Sequence, residues 1–196
     1  MRAGRLVFRG VFRQERVCFW GVIKVGAGRF VFVIGGARSG KSAFALKLAE
    51  ARPGPRRYIA TALALDSEMA VRIERHKGER GDGWETMEEP RELASALSGL
   101  DGGVVLIDCL TLWVTNLMGA GLDDAAIEAE ARTLFKAALQ CGCDVIVVSN
   151  EVGLGIVPDN PLARRFRDLA GTINRVAAEA ATEVFFIAAG LPMKMK

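Results

Sequence analysis

The fold is decided at residues 35–42, which read Gly35-Gly36-Ala37-Arg38-Ser39-Gly40-Lys41-Ser42. An apolar run precedes this stretch at Phe30–Ile34, and a segment of helical period follows it. The spacing G-x-x-x-x-G-K-S between a strand and a helix is that of a phosphate-binding loop, or P-loop. Its glycines let backbone N–H groups turn inward around a β-phosphate, and the helix dipole favours the negative charge. The stretch predicts a nucleoside triphosphate site, with the Lys41 ammonium on the β/γ oxygens and the Ser42 hydroxyl on Mg²⁺.

Beyond this loop, short β-branched apolar runs alternate with longer segments of helical period, which is typical of a parallel sheet with crossover helices. The predicted strands are Phe30–Ile34, Arg57–Thr61, Val104–Asp108, Asp144–Ser149 and Glu183–Ala188. The predicted helices are Lys41–Ala51, Asp66–Lys77, Pro90–Ser98, Thr111–Met118, one from Asp123 or Asp124 to about Gln140 and one from Asn160-Pro161 to about Ala181. We expect an α/β fold of the P-loop NTPase (RecA-like) type, with a mostly parallel sheet and helices on both faces.

Charge is unevenly distributed along the chain. The 196 residues carry a formal net charge of +3, but residues 1–29 hold seven of the 26 basic and one of the 23 acidic residues. Residues 30–196 therefore carry 19 basic and 22 acidic groups, which argues against the clustered basic face of a nucleic-acid-binding protein. We expect one compact domain at 30–196. The extension at 1–29 is expected to be a poorly packed arm, with an extra strand or an upstream start codon as alternatives.

The cysteines and the apolar runs indicate where in the cell the protein is expected. Four cysteines and one histidine supply neither a disulfide framework nor the paired ligands of a structural zinc site, so ordinary thiols and a reducing cytoplasm are expected. Charged residues interrupt every apolar run in the first 29 residues, and nothing in the sequence approaches a transmembrane span.

Two further predicted strands end in polar residues. Four apolar residues lead into Asp108, and the strand at Asp144–Ser149 leads into Asn150 and Glu151. Because the carboxyl ends of parallel strands meet at one edge of the sheet, these side chains are expected over the same crevice as the P-loop. The position makes Asp108 a candidate for binding Mg²⁺, directly or through water. A buried strand that ends in Asp as a helix cap is the alternative, and the task of Glu151 is left open.

The single histidine, His76, lies near the end of the predicted helix Asp66–Lys77. Helical periodicity places it on the face of Arg72, away from the apolar stripe that contains Ile73. Neighbouring cations would favour a neutral imidazole, which a nucleophile attacking an α-phosphate requires. The same pattern also fits a solvated histidine at a helix end, so periodicity alone does not decide its role.

Several segments, taken in order, resemble the bifunctional adenosylcobinamide kinase / adenosylcobinamide-phosphate guanylyltransferase family of cobalamin biosynthesis. The resemblance runs from Phe30 to the C-terminus, and family chains begin almost at the P-loop strand. Besides the P-loop, the segments are Tyr58-Ile59-Ala60-Thr61-Ala62, Met69-Ala70-Val71-Arg72-Ile73-Glu74-Arg75-His76-Lys77, Trp84-Glu85-Thr86, Glu88-Glu89-Pro90, Thr115-Asn116-Leu117, Ser149-Asn150-Glu151-Val152-Gly153-Leu154-Gly155-Ile156-Val157-Pro158 and Arg164 to Asn174.

The resemblance implies two reactions. A nucleotide, ATP or GTP, phosphorylates the aminopropanol hydroxyl of adenosylcobinamide, and GTP then donates GMP through a histidine-GMP intermediate to give adenosylcobinamide-GDP and pyrophosphate. His76 matches the guanylylated histidine, and a homotrimer with Mg²⁺ as cofactor is implied. Some members carry two adjacent histidines where this chain has Arg75 and His76, and some carry Glu where Asp108 stands. The implied nucleotide contacts are Gly35, Gly36, Ala37, Arg38, Ser39, Gly40, Lys41, Ser42, Ala60, Thr61, Ala62, Lys77, Gly78, Glu79, Arg80, Glu88 and Asp108.

Three alternatives stay open from the sequence. A different small-molecule P-loop kinase would lack guanylyl transfer, and a RecA-like nucleic-acid-binding or regulatory NTPase would lack both activities. A chain that retains one of the two activities is the third.

Overall fold

The computed structural model describes residues 28–64, 71, 73–74, 77–78 and 80–196. Its strands are β1 (Phe30–Gly35), β2 (Arg56–Ala60), β3 (Trp84–Glu88), β4 (Asp101–Asp108), β5 (Gly142–Asn150), β6 (Glu183–Ala188) and β7 (Leu191–Lys194). Its helices are α1 (Lys41–Glu50), α2 (Leu93–Ala96), α3 (Leu110–Gly119), α4 (Asp124–Gln140) and α5 (Pro161–Ala180). The described residues from 71 to 78 are also helical.

One sheet organises these elements, in the order β3-β2-β4-β5-β1-β6-β7. Strands β1 to β6 pair in parallel, and β7 pairs antiparallel with β6. The predicted α/β fold with a mostly parallel sheet is confirmed. All carboxyl ends of the parallel strands lie at one edge, which is where ligands bind in folds of this kind.

The sheet is covered on both faces. Helix α1 packs with Val31, Val33, Leu106 and other residues that form a smaller core on one face. A larger core on the opposite face joins the sheet to α2, α3, α4 and α5, and the Phe30 and Phe135 rings stack there with centroids 5.5 Å apart. Burial of these apolar surfaces is the main force that holds strands and helices together.

Helix ends follow the capping residues that the sequence indicates. The Asp123 carboxylate accepts a hydrogen bond from Ala126 N at 2.8 Å and begins α4. Asn160 accepts from Leu162 N at 2.8 Å, with Pro161 in the first turn of α5. Such caps satisfy N–H groups that the helix itself leaves without partners.

Two parts of the secondary structure differ from the prediction. The predicted helix Pro90–Ser98 shortens to α2, because the Glu89 carboxylate accepts from Arg91 N and Glu92 N and holds this segment in a turn. Strands β3 and β7 were missed, since both are edge strands with mostly exposed side chains and no apolar run. Within the described parts of the chain, no helix is long and apolar enough to cross a membrane.

Candidate active site

The P-loop connects β1 to α1 as the sequence predicts. Arg38 (φ +56°) and Gly40 (φ +91°) take left-handed backbone conformations that turn the chain into the helix. A Cβ on Gly35 would lie 2.5 Å from Ile187 O, so the loop starts where only glycine fits against β6. Gly190 N, in the turn between β6 and β7, donates to Ser39 O at 2.8 Å. The β6–β7 hairpin, whose second strand the sequence does not predict, therefore stabilises the P-loop backbone.

Lys41 is the charged residue of this loop. Its side chain is 8 % exposed, and its ammonium donates to Gly36 O at 3.2 Å. The Lys41 ammonium is thus bonded to the backbone of the P-loop itself, close to where phosphate oxygens would bind. The hydroxyl-bearing Ser42 follows it in the first turn of α1 and is half-buried.

A continuous row of candidate residues runs along the carboxyl edge of the sheet. Gly35 of β1 pairs with Asn150 of β5, and β5 pairs in turn with β4. Asp108 of β4 and Glu88 of β3 both pair with Ala60 of β2. The register therefore brings together, at the ends of five neighbouring strands, residues that are up to 115 positions apart in the sequence.

The middle of this row is fixed by Thr61, which is fully buried. Its hydroxyl donates to Cys109 O at 2.9 Å and accepts from Cys109 N at 2.8 Å, while its own N–H donates to Asp108 O at 3.2 Å. Asn116 of α3 donates to Thr61 O at 2.8 Å and to Pro90 O at 3.0 Å. Thr61, predicted as a nucleotide contact, thus has its polar atoms bonded within the protein, where they hold the segments after β2 and β4 together.

A second set of polar contacts fixes the end of β5. Asn150 donates to Thr111 Oγ1 at 2.9 Å. Asn174 of α5 donates to Asn150 O at 3.1 Å and accepts from the Ser149 hydroxyl at 2.6 Å. These contacts, which no short motif predicts, anchor the strand between the P-loop and Asp108.

The pKa of the Cys109 thiol, directly after Asp108, reflects the charges around it. Burial and the Asp108 carboxylate raise the pKa of the Cys109 thiol, and the Lys41 ammonium lowers it, so that the pKa lies at about 11. The Asp108 and Lys41 charges therefore act on the same thiol in opposite directions. The Cys109 thiol stays protonated near neutral pH and is no nucleophile.

The residues here fit a magnesium ion. Ser42 and Asp108 are both half-buried and offer a hydroxyl and a carboxylate oxygen, which are the hard donors that Mg²⁺ takes. Mg²⁺ commonly uses one or two protein oxygens and completes its shell with water and substrate phosphates. The set does not need a cluster of carboxylates, and the described residues contain no such cluster.

Lys77, which follows β2 in the sequence, lies at the other end of the row, beside Glu88 of β3. The Lys77 ammonium lies 3.3 Å from a Glu88 carboxylate oxygen and 3.2 Å from one of Glu74. Hydrogen bonds to Glu74 and to Glu88 raise the pKa of Lys77, so its charge is secure at neutral pH. Gly78 is exposed in the same short helix. His76 and Glu79, predicted as nucleophile and nucleotide contact, lie outside the described residues.

Arg80 has an environment that the sequence did not indicate. It is 6 % exposed, and its guanidinium carbon lies 3.9 Å from the centroid of the Tyr58 ring. Tyr58 belongs to β2, two residues before Ala60, and the Trp84 ring of β3 packs against it edge-on at 6.2 Å. Burial and the Asp108 charge raise the pKa of the Tyr58 hydroxyl, which therefore stays protonated, while Arg80 lowers it.

Comparison with protein families decides against two of the alternatives that the sequence left open, the unrelated kinase and the nucleic-acid-binding or regulatory NTPase. The family model described as cobinamide kinase / cobinamide phosphate guanyltransferase matches residues 31–195. This chain belongs to that family. The match covers the P-loop, the Asp108 strand and α5, so the whole sheet of the structure belongs to the cobinamide kinase / guanyltransferase domain.

Two relatives show the same relationship. The bifunctional adenosylcobalamin biosynthesis protein CobP of Pseudomonas aeruginosa is 43% identical over 166 residues, which cover 84% of this chain and 95% of the relative. The corresponding protein CobU of Escherichia coli is 42% identical over 183 residues, which cover 85% of this chain and 99% of the relative. Both are similar along nearly their full length.

A solved structure supports the fold alone. A protein from Pyrococcus horikoshii OT3, studied within a structural project, superposes with a TM-score of 0.52 at 11% identity and covers 87% of each chain. At such identity the likeness concerns the sheet and its helices. The function rests on the family and on the residues of the carboxyl edge.

Proposed function

We propose that this chain is a bifunctional enzyme that phosphorylates adenosylcobinamide and then transfers GMP to the product. The observation that carries the proposal is that a chain of the cobinamide kinase / guanyltransferase family has its P-loop and Asp108 on the same sheet edge, at the ends of β1 and β4 with only β5 between them. Nucleoside triphosphates are its nucleotide substrates. The products of the second step are adenosylcobinamide-GDP and pyrophosphate.

In the kinase step, the aminopropanol hydroxyl attacks the γ-phosphorus of ATP or GTP, the bond to the β-phosphate oxygen breaks, and the hydroxyl proton is released. Backbone N–H groups of residues 35–42 and the Lys41 ammonium hold the triphosphate and take up its developing charge. Ser42 and Asp108 would hold Mg²⁺, which when bound neutralises phosphate charge.

In the guanylyl step, an imidazole nitrogen of His76 attacks the α-phosphorus of GTP, and pyrophosphate leaves. A phosphate oxygen of adenosylcobinamide phosphate then attacks the phosphorus of the histidine-GMP, and the histidine is released. The nucleotide contacts on this side of the site are Lys77, Gly78, Glu79, Arg80, Glu88, Ala60 and Ala62. Thr61 fixes the backbone between Ala60 and Ala62. Splitting one difficult displacement into two is what a covalent intermediate provides.

The decisive experiment is incubation with GTP labelled at the α-phosphate. We expect a label on the protein that is stable to alkali and labile to acid, as a phosphoramidate is, and that His76→Asn abolishes. GTP labelled at the γ-phosphate should leave the protein unlabelled. A wild-type protein that takes no α-label but phosphorylates adenosylcobinamide would identify the chain as a kinase without guanylyl transfer.

The matched control separates the two reactions. His76→Asn should keep kinase activity with adenosylcobinamide while losing transfer to adenosylcobinamide phosphate. Loss of both activities in a folded His76→Asn protein would contradict the assigned role.

We also propose that the enzyme is a cytoplasmic homotrimer in which residues 30–196 form the catalytic domain. Sedimentation equilibrium tests the trimer, and a mass of one or two chains at working concentration would refute it. Deletion of residues 1–29 should leave both activities unchanged.

A further inference from the structure

We infer that Tyr58 is a positioning residue for guanylyl transfer, and that its aromatic face fixes the guanidinium of Arg80 where the nucleotide binds. This inference rests on the proposed function, which makes Arg80 a nucleotide contact. Tyr58 itself does not touch the triphosphate. It acts through Arg80, which lies over its ring.

The Arg80 guanidinium lies over the face of the Tyr58 ring. A guanidinium carbon 3.9 Å from the ring centroid is within the range of a cation–π contact. Arg80 is 6 % and Tyr58 is 6 % exposed, so the pair is shielded from water, where such a contact is strongest. A stacked guanidinium still directs its N–H groups outward in its own plane, which is how arginine binds phosphate oxygens while it is held on an aromatic ring.

Neighbouring strands hold the Tyr58 ring in place. Tyr58 lies in β2, between the edge strand β3 and β4, opposite Thr86 and Leu106. Trp84 packs edge-on against it, with the ring planes at 84°. The ring is therefore a rigid part of the core, whereas Arg80 lies on a connecting segment. A flexible cation on a rigid platform loses less entropy when it binds a ligand.

The strand register sets the position of Arg80 relative to Asp108. Arg80 lies over Tyr58 of β2, and Tyr58 pairs with Leu106 of β4, two residues before Asp108. The Asp108 carboxylate raises the pKa of the Tyr58 hydroxyl and the Arg80 guanidinium lowers it. Lys77 reaches Glu88 at 3.3 Å from the same segment, so two contacts dock the segment next to His76 on the ends of β2 and β3.

The test measures equilibrium binding of GTP carrying a methylene group between its α- and β-phosphates, because this analogue blocks guanylyl transfer. Tyr58→Leu should weaken the Kd by about tenfold, the order expected for a shielded cation–π contact. Tyr58→Phe, which keeps the ring, should restore the wild-type Kd within about twofold. Arg80→Leu should weaken binding at least as much as Tyr58→Leu.

The double variant Tyr58→Leu/Arg80→Leu decides whether the two residues act together. We expect it to bind no more weakly than Arg80→Leu alone, since removing the platform has no effect once the cation is gone. If Tyr58→Leu weakens binding equally in the presence and absence of Arg80, Tyr58 has only a structural role and the inference is wrong. Wild-type affinity in Tyr58→Leu would also overturn it.

Arg80→Lys is a second variant, for the case that Tyr58→Leu does not fold. Lysine keeps the positive charge but not the planar stack, so the Kd should weaken by about fivefold or more. An unchanged Kd in Arg80→Lys would contradict the stacking argument. Because the analogue is bound and not turned over, these outcomes are independent of the α-labelling experiment, which tests the proposed function on wild-type protein and the His76→Asn variant.

Discussion

Thr61→Val is the change that tests most directly how the centre of the site is held together. Valine keeps the branched shape of threonine and removes the hydroxyl, which bonds both polar groups of the Cys109 backbone. Cys109 O retains a bond from Trp113 N at 3.1 Å in the first turn of α3. Cys109 N donates to the Thr61 hydroxyl at 2.8 Å and is left buried without this partner.

The expected magnitude follows from these two unequal losses. A buried donor without a partner costs about 1–3 kcal/mol, and the bond lost by a carbonyl that keeps another partner costs about 1 kcal/mol. Thr61→Val should therefore lower the free energy of unfolding by about 2–4 kcal/mol. For a domain of this size, the unfolding temperature should fall by about 5–12 °C.

Urea unfolding followed by circular dichroism measures this loss, with an unchanged slope as the sign that only stability has changed. Thr61→Ser is the matched control, because it keeps the hydroxyl and loses one methyl, which should cost about 1 kcal/mol. If serine destabilises the protein as much as valine does, packing and not the pair of hydrogen bonds holds these segments, and the reasoning is refuted.

Two further predictions concern the P-loop. Lys41→Met should lower kcat for adenosylcobinamide phosphorylation by about 10²–10³-fold, because a cation that stabilises the transferred phosphate is lost. A steady-state assay that finds kcat lowered by less than about tenfold would contradict this role. Gly35→Ala should unfold or strongly destabilise the protein, because the new Cβ would lie 2.5 Å from Ile187 O and 2.7 Å from Ser39 Oγ. Gly36→Ala is the control, since a Cβ at Gly36 meets no atom within 4 Å. Equal unfolding temperatures in the two variants would refute the steric argument.

The parts of the fold that the sequence predicts are those whose signal is local. The five predicted strands are all present, with their ends displaced by up to three residues, because each is a buried apolar run. The P-loop was equally visible, since its glycines and its Lys-Ser pair are contiguous. Strands β3 and β7 gave no such signal because an edge strand needs no apolar face.

The site was predictable only in part, for the same reason. Asp108 could be placed at the sheet edge because it ends an apolar run. The bond between Thr61 and Cys109 spans 48 residues, and the stacking of Arg80 on Tyr58 depends on β2 lying inside the sheet next to β3. Neither pair has a spacing that indicates contact. Glu88 is implied by the family resemblance alone, because its mostly exposed edge strand carries no signal in the sequence.

The sheet order sets the P-loop apart from the described residues Lys77 and Arg80. A P-loop holds the β-phosphate, so the α- and γ-phosphorus atoms lie on either side of its anchor. Gly35 and Glu88 are four interstrand spacings apart, about 19 Å along the edge. The segment next to His76 is docked at the far end of this row by Lys77 on Glu88 and Arg80 on Tyr58. Under the proposed function, we expect the His76 nucleophile to attack the α-phosphorus of the triphosphate and the hydroxyl of the kinase substrate to attack the γ-phosphorus. Loss of the histidine should consequently stop guanylyl transfer and spare phosphorylation, because the two reactions use different phosphorus atoms.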